Sequence, residues 1–98
     1  MKSLAILGST GSIGTSTLEV VRHNKDKFRV EFLLANSNYQ LMIEQCEEFQ
    51  PKYIYLRSEE AKRSFLSNIG QLSNKTTLLS SDDEVEQVLG SEFIDTVV

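Results

Sequence analysis

The sequence predicts an α/β protein, a parallel sheet with helices on both faces, and three observations carry that prediction. Short apolar runs alternate with stretches of helical period along the chain. The first run leads straight into the glycines Gly8, Gly11 and Gly14, and the residues after them turn amphipathic at once. Strand, glycine turn and helix in that order open a Rossmann-type dinucleotide-binding fold, for which a strand order of 3-2-1-4 is expected over the part of the sheet present.

Leu4, Ala5, Ile6 and Leu7 make the first strand, apolar enough to be buried on both faces. Residues 12–23 form the first helix, with Leu18, Val20 and Val21 as its apolar stripe and Glu19 and Arg22 on the other side. It ends in a polar, mostly basic cluster, Arg22, His23, Asn24, Lys25, Asp26 and Lys27, at the opposite end of the sheet from the glycine turn. Positive charge suits a helix C-terminus, and His23 is read as part of that solvated end, not as an acid, base or metal ligand. Phe28 to Ala35, FRVEFLLA, begins alternating and becomes apolar throughout, the second strand of a right-handed parallel crossover.

Asn36, Ser37 and Asn38 make the next turn, with Asn38 placed to cap a helix from Tyr39 to Phe49 whose buried side is Leu41, Met42, Cys46 and Phe49. Cys46 is read as a small core residue, not a nucleophile. Pro51 stops that helix, and residues 52–56, KYIYL, form the third strand. Ser58, Glu59, Glu60 and Ala61 start a third helix that runs to Ile69 and is closed by Gly70. Residues 76–79 suit a short strand, and Asp82 and Asp83 open a helix through Leu89 that Gly90 ends. The acidic run Asp82, Asp83, Glu84 and Glu86 lies in and just after a first helical turn, where the dipole favours it, and is read as a solvated face instead of a metal site. Residues 94–98 look like a further strand, with nothing after the end at which such sheets bind ligands. The expectation is a cofactor-binding domain over residues 1–98, part of a longer protein whose catalytic and C-terminal domains lie elsewhere.

The glycine turn has a chemistry of its own. The first amides of a helix lack intrahelical partners and together carry about half a positive charge, so a pyrophosphate is held there without any lysine. Gly8 lets the chain turn off the strand, Gly11 lets a ligand approach the backbone, and Gly14 lets the helix pack on the sheet. The hydroxyls of Ser9, Thr10 and Ser12 are available to cap the helix or bond phosphate oxygens. A glycine-rich turn that binds nothing has the same spacing; the strand before it and the helix after it favour the phosphate reading.

The end of the second strand selects the nicotinamide cofactor. An NAD site carries Asp or Glu about 20 residues beyond the glycines, but here Ala35, Asn36, Ser37 and Asn38 stand in that place, and Glu31 falls too early in the strand. A carboxylate about 4 Å from a 2′-phosphate charge would oppose it by roughly 4 kcal/mol at an effective dielectric near 20, close to a thousandfold in affinity. The neutral turn avoids that repulsion and leans to NADP. No arginine or lysine stands in the turn itself, and Arg57 comes at the end of the third strand, a position the sequence does not relate to the adenosine end.

Composition excludes other classes. A net charge of −4 leaves no basic stripe for nucleic acid, and no apolar run approaches the roughly 20 residues of a membrane helix. With a single cysteine, no signal peptide and no transit peptide, the expected compartment is the cytoplasm.

The run GSTGSIGTSTLEVVRHN, Gly8 to Asn24, closely resembles the N-terminal signature of the 1-deoxy-D-xylulose 5-phosphate reductoisomerases. The likeness continues through Phe28 to Val30, Ala35, Asn38 and the run EQCEEFQPKY at residues 44–53, covering about the first 55 residues. Semialdehyde dehydrogenases and extended short-chain dehydrogenases share the glycines but not this continuation. The resemblance implies NADPH as cofactor, with Thr10, Gly11, Ser12 and Ile13 at its phosphates and Asn36, Ser37 and Asn38 at the adenosine ribose and 2′-phosphate. It further implies a divalent metal, Mg or Mn, a phosphorylated deoxyketose substrate and a homodimer for the whole enzyme, with no catalytic or metal-binding residue in this stretch.

The chain departs from the family pattern at Asn36, where glycine is usual, and at Ser37, where a basic residue is frequent. Asn tolerates a left-handed backbone, which would keep the turn's shape at Asn36. Another NADP-dependent dehydrogenase, of semialdehyde dehydrogenase type, and a non-catalytic nucleotide-sensing domain are the alternatives.

Overall fold

A computed structural model describes residues 1–69 and 75–98; the expected stop at Gly70 lies outside them. Among the described residues five strands and four helices alternate: β1 (Lys2–Leu7), α1 (Ser12–Arg22), β2 (Phe28–Ala35), α2 (Tyr39–Phe49), β3 (Tyr53–Leu56), α3 (Glu59–Ile69), β4 (Thr77–Leu78), α4 (Asp82–Leu89) and β5 (Thr96–Val97). All neighbouring strands are parallel, in the order β4-β3-β2-β1-β5.

The expected order 3-2-1-4 is corrected on one point. The fourth strand of the chain, β4, pairs with the outer edge of β3 through Tyr53↔Thr77 and Ile54↔Leu78, and the place beside β1 belongs to the fifth. The reason lies in the crossovers. From β1 to β4 the chain steps outward in one direction, so right-handed connections put α1, α2 and α3 on the same face. After β4 it reverses across the sheet to β5, which puts α4 on the opposite face.

The core accordingly has two layers. On one side Leu18 and Val21 of α1, Met42 and Cys46 of α2, and Ala61 and Phe65 of α3 cover Leu4, Ile6, Leu33, Ala35, Ile54 and Leu56. On the other, Val85 and Val88 of α4 cover Ala5, Phe32, Leu34 and Tyr55. Burial of each large side chain contributes about 1.5–3 kcal/mol. The change of pattern within β2 also has a cause: Leu4 pairs with Val30 but Ala5 with Phe32, so Glu31 is a bulge residue and the inside-outside alternation shifts there.

Helix ends follow the sequence. The Asn38 side chain accepts from the Leu41 amide at 3.1 Å and caps α2, and the Ser81 hydroxyl does the same for α4 through Glu84. Gln50, ahead of Pro51, ends α2 in the left-handed conformation.

At the far end of the sheet from the glycine turn, Arg22 ties α1 to α2. Its Nη2 donates to Glu48 Oε1 at 2.7 Å, its Nε to the other oxygen of that carboxylate, and its Nη1 to Glu19. The hydrogen bond from Arg22 holds the Glu48 carboxyl below the usual carboxylate range. A carboxyl depressed by folding contributes stability that is fully present above its unfolded value near 4.5 and is lost as pH falls through the lower folded value. Thermal melts of wild type and Glu48→Gln are therefore expected to differ by a few degrees at pH 6 and to converge in acid below that window; a constant difference at all pH would remove the pair from the stability account.

Candidate cofactor-binding site

The site begins where β1 runs out. Gly8 takes φ +77°, which an L side chain rarely adopts, and turns the chain away from the strand. The amides of Gly8 and Ser9 both donate to Leu34 O of β2, at 2.8 and 2.9 Å, and Gly11 N closes the turn on Gly8 O at 3.0 Å. Gly11 is the N-cap of α1, extended and without a side-chain cap bond. Among the described residues, the amides of Ser12, Ile13 and Gly14 donate to no protein group. These are the orphan donors of a helix N-terminus, and the first turn carries no acid to neutralise them.

Two expectations about this turn change. Gly14 packs on the turn itself: a Cβ there would lie 2.1 Å from Gly8 O and 2.7 Å from Ser9 Cα. Ser9 neither caps α1 nor faces outward. It is fully buried, and its carbonyl accepts from Gln45 Nε2 of α2 at 2.8 Å. Gly11, Ser12 and Ile13 are exposed and Thr10 is half-buried, so the sequence-predicted phosphate residues do line an open surface.

Asn36, Ser37 and Asn38 leave the C-terminal end of β2 beside that surface, since Leu7 and Leu34 are register partners. All three are exposed. Asn36 has no positive φ, contrary to the left-handed backbone expected of it: its carbonyl accepts from Ser58 N at 3.0 Å, and this bond holds the turn without a glycine. Ala35 O accepts from Arg57 N at 3.0 Å, so Arg57 starts in the adjoining corner, exposed.

Topology makes a crevice of this edge. The connections leaving β1 and β2 go to one face while α4 covers the other, so the chain reverses direction between β1 and β5, where open α/β sheets bind ligands. Outside this edge, the polar side chains singled out from the sequence do other work. His23 Nε2 lies 2.9 Å from Glu19 on an exposed helix end, and burial pushes the Cys46 thiol up, away from the thiolate a nucleophile needs. Among the described residues no three His, Cys, Asp or Glu side chains gather to hold a metal, and no helix is long and apolar enough to cross a membrane.

Comparison with known proteins decides the family. A family model described as 1-deoxy-D-xylulose 5-phosphate reductoisomerase matches residues 4–98. The chain belongs to the 1-deoxy-D-xylulose 5-phosphate reductoisomerase family.

The reductoisomerases of Baumannia cicadellinicola subsp. Homalodisca coagulata and Proteus mirabilis (strain HI4320) are each 42% identical over 98 residues, all of this chain and 25% of the relative. The chain thus spans about a quarter of the curated relatives it matches. A crystal structure of DOX-P reductoisomerase in complex with NADPH, fosmidomycin and magnesium superposes with TM-score 0.83 at 32% identity, over 99% of this chain and 24% of that one. The Zymomonas mobilis reductoisomerase in complex with NADPH shares the fold, with TM-score 0.74 at 22% identity over 88% of this chain and 22% of that one. The reductoisomerase family match, which runs from β1 through β5, disposes of the semialdehyde dehydrogenase alternative.

One residue of the site was not read from the sequence. Gln45 stands three residues after Met42 and next to Cys46, inside the buried stripe of α2, and that position was the available signal. A polar residue among apolar ones at that spacing marks a hydrogen bond to be found.

Proposed function

We propose that this chain is the NADPH-binding part of a 1-deoxy-D-xylulose 5-phosphate reductoisomerase. The observation that carries the reading is the row of unpaired amides at Ser12, Ile13 and Gly14, opening on a surface that glycines keep free of side chains. The residues present fit the cofactor. The main-chain N–H groups of Ser12 and Ile13 and the hydroxyls of Thr10 and Ser12 hold the pyrophosphate, while Gly11, whose own amide is engaged with Gly8 O, leaves the approach free of a side chain. Ile13, 78% exposed, offers apolar surface for the dinucleotide to cover. Asn36, Ser37 and Asn38 face the ribose and its 2′-phosphate, with Arg57 in the next corner as the nearest cation from β3.

When bound, NADPH supplies the hydride for the reductive half of the reaction. The whole enzyme rearranges 1-deoxy-D-xylulose 5-phosphate and reduces the product to 2-C-methyl-D-erythritol 4-phosphate, with a divalent metal, as a cytoplasmic homodimer. This chain's own residues bind and orient the cofactor; by itself the 98-residue chain is expected to bind NADPH weakly and not to turn over substrate.

Calorimetric titration with NADPH, NADH and ATP tests the assignment. NADPH is expected to bind most tightly; a tenfold preference for ATP would favour a nucleotide sensor, and the same preference for NADH would contradict the reading of residues 36–38. Ser37→Arg restores a cation at the 2′-phosphate. A charge-assisted bond at an exposed site is expected to raise the NADPH-to-NADH affinity ratio by roughly tenfold. An unchanged ratio takes Ser37 out of that site.

A further inference from the structure

Gln45 is an unusual occupant of its place. At 5% exposure it sits on the inner face of α2 between Met42 and Cys46, where an apolar side chain would pack as well without losing hydration. Its Nε2 donates to the carbonyl of Ser9, 36 residues away in sequence, at 2.8 Å. The rest of the pair is chemically matched as well: Gln45 Oε1, an acceptor, and Ser9 Oγ, a donor, are both buried and neither has a partner among the described residues. Among the described residues, the bond to Ser9 O is the hydrogen bond that compensates the buried amide.

Ser9 is the residue from which the phosphate turn hangs. Its amide is fixed from one side by Leu34 O at 2.9 Å and its carbonyl from the other by Gln45, while Thr10, the next residue, leads into the open surface. The peptide plane between Ser9 and Thr10 is therefore set by Gln45, and with it the direction in which the following amides point. We infer that Gln45 is a positioning residue for cofactor binding, gripping the Ser9 carbonyl so that the turn from Thr10 to Ile13 is held ready for the pyrophosphate before cofactor arrives. The inference rests on the function proposed above, and it predicts an effect common to NADPH and NADH, because the pyrophosphate is the part they share.

The test compares Gln45→Met, which keeps volume and loses the donor, with Gln45→His, whose ring N–H reaches about as far as the glutamine amide. Dissociation constants for NADPH and NADH are measured on protein shown by circular dichroism to be folded. Gln45→Met is expected to weaken both cofactors at least tenfold with their ratio unchanged, and Gln45→His to stay within about threefold of wild type. A core role alone would lower the melting temperature and leave affinity of the folded protein unmoved. In wild type, hydrogen exchange of the Gln45 side-chain amide, which needs no variant, is expected to be slow. Wild type that binds neither cofactor overturns both this inference and the function beneath it. Wild-type binding with equal binding by folded Gln45→Met overturns the inference alone, as does exchange of the Gln45 amide at the rate of an exposed glutamine.

Discussion

Gly11→Asp is expected to cost roughly a thousandfold in NADPH affinity while leaving the fold intact. Gly11 is extended, at φ −84° and ψ −180°, a conformation open to any residue, and a Cβ there meets nothing closer than Gly8 O at 3.5 Å. Aspartate is also a favoured N-cap, so α1 should be as stable as before or slightly more so. The same carboxylate stands where the pyrophosphate belongs. A like charge about 4 Å away opposes binding by roughly 4 kcal/mol at an effective dielectric near 20. Affinity and stability thus move independently, or in opposite directions, and a pair of experiments, calorimetric titration and a thermal melt, reads both. NADPH affinity unchanged in this variant would put the cofactor somewhere else.

Gly14→Ala should instead lose both. The added methyl would lie 2.1 Å from Gly8 O and 2.7 Å from Ser9 Cα, both backbone atoms that cannot rotate aside. Either α1 moves off the turn or the turn moves off the sheet, and the latter breaks the bonds from Gly8 and Ser9 to Leu34 O. Overpacking of this kind costs about 3 kcal/mol, which in a domain of this size corresponds to a fall in Tm of roughly 12–24 °C. NADPH binding should fall with it, because the amides of Ser12 and Ile13 move with the helix. A melting temperature within a few degrees of wild type would mean that helix and turn are less closely packed than described.

The contrast between these glycines shows what the sequence could and could not disclose. Their spacing after Leu4 to Leu7 announced the turn, and the residues expected at the phosphates, Thr10 to Ile13, do lie on its open side. Which glycine is needed for shape and which for access is a matter of backbone contacts: the spacing points Gly14 at the sheet, and it packs on the turn. Ser9 looked like a further phosphate ligand because hydroxyl chemistry is visible in a sequence and burial direction in an irregular turn is not. Strand order failed at the same level: β4, at Thr77–Leu78, is too short to carry a pattern that says which edge it joins. The bulge at Glu31 is likewise a property of pairing. Capping by Asn38, the stop ahead of Pro51 and the acidic start of α4 depend on neighbours within one helix, and these were legible.

At Asn36 and Ser37 the turn keeps its frame without a glycine and without a charge. The bond from Ser58 N to Asn36 O holds the corner that glycine would otherwise ease, and Arg57 N on Ala35 O brings a cation's backbone alongside.

Main-chain amides at the start of α1 are the proposed seat of the pyrophosphate. Nitrogen-15 NMR of the protein titrated with NADPH tests it most directly. The amide resonances of Thr10, Gly11, Ser12 and Ile13 are predicted to shift most, together with Asn36 to Asn38, and those of α4 least. Saturable binding that left the Thr10 to Ile13 amides unmoved would contradict the account.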